Sequence, residues 1–181
     1  MMRFIHLRHL LTCLALTAAH GAAQALDAAS LELAVGEKVQ MVRVGAQWDW
    51  ERRWFQSNGT HLGGYWDLSL AQWRGTHYQN IEGKTQDITS IGLTPVLRFQ
   101  QDSKKGFYAE ARIGIHLLSE LYDNDNNHLS TSFQFGDEVG VGYVFNNKLD
   151  IGLKLQHFSN GGIKKPNDGI DFTSIRVRYI F

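Results

Sequence analysis

Apolar side chains fall on every second residue through eight successive segments of this chain. That period of two constrains the fold more than any other feature, because it gives each segment one apolar and one polar face. Residues 31–36 place Leu31, Leu33 and Val35 on one face. Residues 42–50 place Val42, Val44, Ala46, Trp48 and Trp50 there, with Arg43, Gln47 and Asp49 between them. Residues 62–70 set Leu62, Trp66, Leu68 and Leu70 against Asp67 and Ser69. Residues 88–99 align Ile91, Leu93, Pro95, Leu97 and Phe99. The clearest segment is 107–117, where Phe107, Ala109, Ala111, Ile113, Ile115 and Leu117 alternate with Tyr108, Glu110, Arg112, Gly114 and His116. Residues 133–145, 149–159 and 171–181 repeat the pattern. Eight strands of roughly 9–13 residues, an even number, are the signature of a small outer-membrane barrel. The expected fold is all-β: an eight-stranded antiparallel transmembrane β-barrel.

A soluble sandwich or lipocalin would alternate in a similar way. Three features set this chain apart. Its polar face is heavily charged, with Glu110, Arg112, Glu138, Lys154, Arg176 and Arg178. Charges of both signs can pair inside a barrel too narrow to be a channel. The chain ends in an aromatic residue, and aromatics gather at strand ends. With both termini in the periplasm, Trp50, Trp54, Phe99, Phe107, Tyr143, Phe145, Tyr179 and Phe181 fall at the periplasmic ends and form half of a girdle. Turns 101–106 and 146–148 are then short, and the Asp123–Asn127 loop lies outside. Tyr179-Ile180-Phe181 is similar to the terminal signal of clients of the barrel-assembly machinery.

Residues 1–25 read as a cleaved leader: Arg3 and Arg8, an apolar stretch from Leu10 to Ala19, then Ala23-Gln24-Ala25 as the cleavage site. Residues 26–181 then form one domain of 156 residues with no cysteine, since Cys13 lies in the leader. Sixteen cations face 18 carboxylates in that domain, and no basic stripe points to nucleic acid. No run after residue 25 approaches the ~18 apolar residues of a membrane helix.

The seventh segment carries its apolar parity straight into His157 and Ser159. The eighth opens with Asp171 on the parity of Ile175, Val177 and Phe181. All three polar groups therefore face lipid at the outer-leaflet end. Ionisable groups on a lipid face are costly and mark a functional site. They are also the nucleophile, base and orienting acid of a serine hydrolase. Residues two apart on a strand share a face at about 6.5–7 Å. Asp171 can lie opposite His157 on the antiparallel neighbour at about 5.5 Å or less. The sequence settles the face but not the register, so Asp168 remains the alternative acid. Asn160, Asn167 and the backbone N–H groups around Gly161 and Gly162 can stabilise an oxyanion.

The stretch Gln156-His157-Phe158-Ser159-Asn160-Gly161-Gly162-Ile163-Lys164-Lys165-Pro166-Asn167-Asp168-Gly169-Ile170 resembles the signature of the outer-membrane lipid A 3-O-deacylases, the PagL family. Trp48-Asp49-Trp50, Trp54 and Gly64-Tyr65-Trp66-Asp67 resemble its aromatic-rich second and third strands, and the likeness spans residues 26–181. The resemblance implies an esterase acting on lipopolysaccharide. Its base is His157 and its nucleophile Ser159. Asn160 is needed for activity, and Asn167 and Gly162 are oxyanion candidates. No cofactor is implied, and a homodimer is left open. The family's acid is typically glutamate where this chain has Asp171.

His61, His77, His116 and His128 lack metal-ligand spacing, and Asp123–Asn127 lacks the glycine and distal glutamate of a calcium loop, so it reads as solvated. The rival functions are a non-enzymatic structural or adhesive barrel and another outer-membrane acyl hydrolase or acyltransferase.

Overall fold

The structure, a computed structural model, describes residues 25–181. Residues 1–24, which hold all of the expected leader but Ala25, lie outside the described residues. The strands are β1 (Ala28–Gly36), β2 (Val39–Asp49), β3 (Trp54–Ser57), β4 (Thr60–Gly75), β5 (Gln86–Gln101), β6 (Gly106–Leu118), β7 (Asp123–Asn124), β8 (Asn127–His128), β9 (Phe133–Val144), β10 (Leu149–Ser159) and β11 (Ile170–Ile180). Eight of them pair antiparallel in chain order, β1-β2-β4-β5-β6-β9-β10-β11. The sheet closes where β1 meets β11, with Leu33 opposite Ile175. Closure leaves no unpaired edge, which a sheet in hydrocarbon requires.

The alternation sorts the side chains as expected. Leu33, Val44, Leu70, Ile113, Val139, Leu155 and Ile175 all face outward. In a soluble protein such an apolar surface would aggregate; around a closed barrel it is the lipid-facing band. At the end carrying the termini, aromatic rings touch edge to face. Phe107 meets Tyr143 at 4.9 Å, Tyr143 meets Phe145 at 4.9 Å, and Trp50 meets Trp54 and Trp66 at 5.8 and 5.9 Å. Amphipathic rings favour the water–hydrocarbon boundary, so this ring marks one membrane face.

The lumen is filled with side chains. Its middle is an ion-pair lattice: Lys154 Nζ lies 2.7 Å from Glu32 and 3.1 Å from Glu138, and Arg112 pairs with Glu138 and Asp67. Nearer the termini, Arg98 pairs with Glu110 at 2.7 Å and Asp150 at 2.9 Å, and Arg176 with Glu110 at 3.0 Å. Each charge has several partners, which offsets the several kcal/mol it costs to desolvate an ion. Above the lattice the lumen turns apolar. Trp73, Phe158, Phe172, Met41, Ile88 and Leu129 form a buried cluster, with Trp73 and Phe158 at 4.7 Å.

The strands reach further than their apolar outer faces suggest. β4 continues to Gly75 and β5 begins at Gln86. There the pattern inverts. Gln72, Arg74, Asp87 and Thr89 face outward while Trp73 and Ile88 point in. Thr89 Oγ1 donates to Gln72 Oε1 at 2.8 Å across the pair. The sheet has risen out of hydrocarbon into water, so its outer face is polar and its inner face apolar. The Asp123–Asn127 segment, expected as a solvated loop, folds as the β7–β8 hairpin. Asp125 and Asn126 both take left-handed φ, 55° and 58°, as a two-residue hairpin turn demands. Asn124 is fully buried. It accepts the His77 N–H at 2.7 Å and donates to the Lys38 carbonyl at 3.2 Å, tying three outer loops together.

Candidate active site

β10 is the seventh strand of the barrel and runs away from the termini, between β9 and β11. Its outer end is held from inside by Phe158, which packs on Trp73 and on His116 at 5.0 Å. Because Phe158 points in, its neighbours His157 and Ser159 both point out. The register places Asp171 of β11 directly opposite His157. His157 Nδ1 donates to Asp171 Oδ1 at 2.7 Å. That bond fixes the tautomer, leaving Nε2 as the free acceptor. Both side chains are outside the lumen, 45% and 86% exposed, on the face that meets lipid.

The loop 160–169 is built around Asn160, which is fully buried. Its N–H donates to Asn167 Oδ1 at 2.8 Å, its Nδ2 to the Lys164 carbonyl at 2.8 Å, and its Oδ1 accepts the Gly162 N–H at 2.9 Å. Asn160 is thus wholly engaged in holding the loop, and so is the Gly162 N–H. Among the described residues Asn167 Nδ2 and the Gly161 N–H have no hydrogen-bond partner. They are two unengaged amide donors on the loop that follows Ser159. Asp168 turns the other way: its Oδ2 accepts the His128 N–H at 2.9 Å, joining this loop to the β7–β8 hairpin. The geometry therefore brings Asp171, and not Asp168, to His157.

Gly169 closes the site from behind. Its φ is +79°, and a Cβ there would stand 2.4 Å from His157 Cε1. Gly169→Ala is expected to push the imidazole off Asp171 and lower deacylation about 100-fold, since misplacements of about 1 Å cost that much. Single-turnover kinetics on the folded variant checks this, and a rate within a few-fold of the parent would mean the ring has room to move.

Sequence reasoning missed one residue. Asp137 lies on the outward parity of β9, between Phe135 and Val139, opposite His157 on the side away from Asp171. His157 thus sits between two strands that each present it a carboxylate. The signal was available, as Asp137 breaks an apolar row just as His157 does. Below the three polar groups, Val35, Val139, Leu155 and Thr173 line a groove of about 570 Å³ on the outer surface. A serine hydroxyl, an imidazole with an oriented ring, two unengaged amide donors and an apolar groove suit acyl transfer from a lipid ester.

Comparisons with known proteins agree with this arrangement. The family model described as Lipid A 3-O-deacylase (PagL) matches residues 40–180, which take in β2 through β11. The chain is 37% identical over 162 residues to the lipid A deacylase PagL of Pseudomonas aeruginosa, covering 89% of this chain and 90% of that one. It is 31% identical over 155 residues to the lipid A deacylase PagL of Bordetella bronchiseptica, covering 84% and 82%. The crystal structure of the outer membrane enzyme PagL superposes with a TM-score of 0.73 at 28% identity, over 85% of this chain and 99% of that one. The chain belongs to the lipid A 3-O-deacylase (PagL) family.

Proposed function

We propose that this protein is an outer-membrane esterase that hydrolyses the 3-O-linked acyl chain of lipid A with a Ser159–His157–Asp171 triad. The observation that carries the reading is the 2.7 Å His157–Asp171 pair on the lipid-facing surface, with Ser159 on the same face. Such a pair has no structural task there. It stands outside the lumen lattice on the face that meets lipid, where an ionisable group is costly and points to function.

The chemistry follows from the free atoms. His157 Nε2 takes the Ser159 hydroxyl proton as Oγ attacks the ester carbonyl. Asn167 Nδ2 and the Gly161 N–H donate to the oxyanion that forms. Collapse breaks the ester bond, and the leaving 3-hydroxyl of the sugar takes the proton from Nε2. Water, deprotonated by the same nitrogen, then attacks the acyl-serine and releases the fatty acid. Asp171 holds the ring and stabilises the imidazolium. Asn160 and Gly162 act by shaping the turn that presents Gly161. The groove along Val35, Val139 and Leu155 lies along the direction in which an acyl chain would enter the bilayer.

Mass spectrometry of lipid A from cells lacking any other deacylase, with and without this protein, tests the reading. A loss equal to one 3-linked acyl chain is expected. Unchanged lipid A in the presence of folded protein would refute it.

The acid can be tested separately. Asp171→Asn is expected to reduce kcat/KM by about 10²–10⁴-fold, because the amide no longer fixes the tautomer or stabilises the imidazolium. Asp171→Glu is expected to keep substantial activity, given the glutamate typical of the family. Asp168→Asn is expected to stay within a few-fold of the parent, since its carboxylate engages the His128 backbone. The reverse ranking of the two Asn variants would reassign the acid to Asp168.

A further inference from the structure

The end of the barrel opposite Ser159 holds a cavity of about 410 Å³ between the short turns and the inner lumen. Its wall is strongly cationic. Arg52 and Arg53 reach it from the β2–β3 connection, Lys104 and Lys105 from the β5–β6 turn, and Lys148 from the β9–β10 turn. Arg98 and Arg178 form its floor. The carboxylates on its wall are Asp49 and Glu51. Asp49 is already engaged by Lys104 at 2.7 Å and Arg178 at 3.5 Å. Asp102, close to Arg53, accepts from His61 at 2.9 Å and Gln56 at 3.3 Å. Arg98 belongs to the lumen lattice. Among the described residues Arg52, Lys105 and Lys148 form no ion pair.

A difference in charge sets this wall apart. The three connections at this end hold five cations and two carboxylates, while the four outer loops hold four cations and six carboxylates.

We propose that this vestibule binds a phosphate group from the periplasmic side, held by Arg52, Arg53, Lys105 and Lys148. Unpaired cations around one cavity repel each other, and a dianionic oxyanion relieves that repulsion while accepting charge-assisted hydrogen bonds. Guanidinium forks suit phosphate geometry, and lysines add point charges. The cavity has room for a free phosphate or for the glycerophosphate headgroup of an anionic inner-leaflet lipid. This inference is independent of the proposed deacylase chemistry.

The full chain, refolded in a non-ionic detergent, is titrated calorimetrically with inorganic phosphate and, in a second arm, with dihexanoylphosphatidylglycerol. Saturable binding is expected in at least one arm, weakening as NaCl rises from about 50 to about 500 mM. Arg52→Gln/Arg53→Gln and Lys105→Gln/Lys148→Gln are each expected to weaken it about tenfold or more. Arg52→Lys/Arg53→Lys should retain most of it. Deacylation and heat-modifiable migration should match the parent in all three variants, which shows that each is folded. Saturation with inorganic phosphate identifies the free ion as a ligand; saturation with the lipid alone identifies the headgroup. Absence of saturable binding in both arms, or full affinity in both glutamine variants, would overturn the proposal.

Discussion

Ser159→Ala is expected to give a barrel that folds, migrates as a heat-modifiable band, and releases no acyl chain. The side chain is half-buried on the outer face of β10 and makes no hydrogen bond among the described residues, so deleting its hydroxyl leaves packing and the strand ladder intact. The proposed chemistry has no substitute for it. Loss of a serine nucleophile costs about 10⁴-fold or more, and what remains comes from the oxyanion donors and binding alone. The groove along Leu155 and Val139 is untouched, so the variant should still bind lipid A. A single-turnover assay on purified lipid A, with the folded fraction read from the same gel, checks both halves. Parental turnover would remove Ser159 from the chemistry and leave the His157–Asp171 pair without a nucleophile.

The barrel was legible because hydrocarbon selects every second residue. Leu33, Ile113, Val139 and Leu155 could be assigned outward from parity alone, and the structure puts them there. Parity also placed His157, Ser159 and Asp171 on one face. It could not show that Asp171 stands opposite His157, because register depends on how many residues the 160–169 loop takes up in turning back. Nor could it match lumen charges, as Lys154 of β10 and Glu32 of β1 meet over the intervening β11 from 122 residues apart. The extensions of β4 and β5 were missed for a physical reason. Beyond Leu70 on β4 and before Ile91 on β5 the outer face meets water, so the apolar rule reverses while the strand continues. Asp137 went unread because it adjoins Glu138. Two consecutive carboxylates look like a polar segment, although one points into the lattice and the other stands opposite His157 on the outer face. The β7–β8 hairpin was hidden by composition. Asp, Asn and Asn read as solvent-loving, yet the same residues are the ones that tolerate two successive left-handed conformations.

His157→Asn is expected to remove deacylation at every pH, whereas the parent should lose activity only on acidification. The two behaviours come from one nitrogen. As the proposed base, Nε2 can take the Ser159 proton only while it carries none of its own, and imidazolium offers no lone pair, so the proposed chemistry requires the neutral ring. Asp171 and Asp137 both stay beside the ring through this change. They can stabilise the charged imidazole but cannot act in its place: Asp171 already accepts from Nδ1, and Asp137 lies on the strand beyond. Asparagine keeps a polar group in the position but has no basic nitrogen, so raising the pH cannot restore the rate. The expected loss is about 10⁴-fold or more, comparable to that of Ser159→Ala, because members of a triad act as a unit. Combining His157→Asn with Ser159→Ala should then cost little beyond either change alone. Rates measured from pH 5 to 9 for parent, single and double variants decide the matter. A flat parental profile, or a His157→Asn variant that keeps turnover at high pH, would mean that a group other than this histidine takes the serine proton.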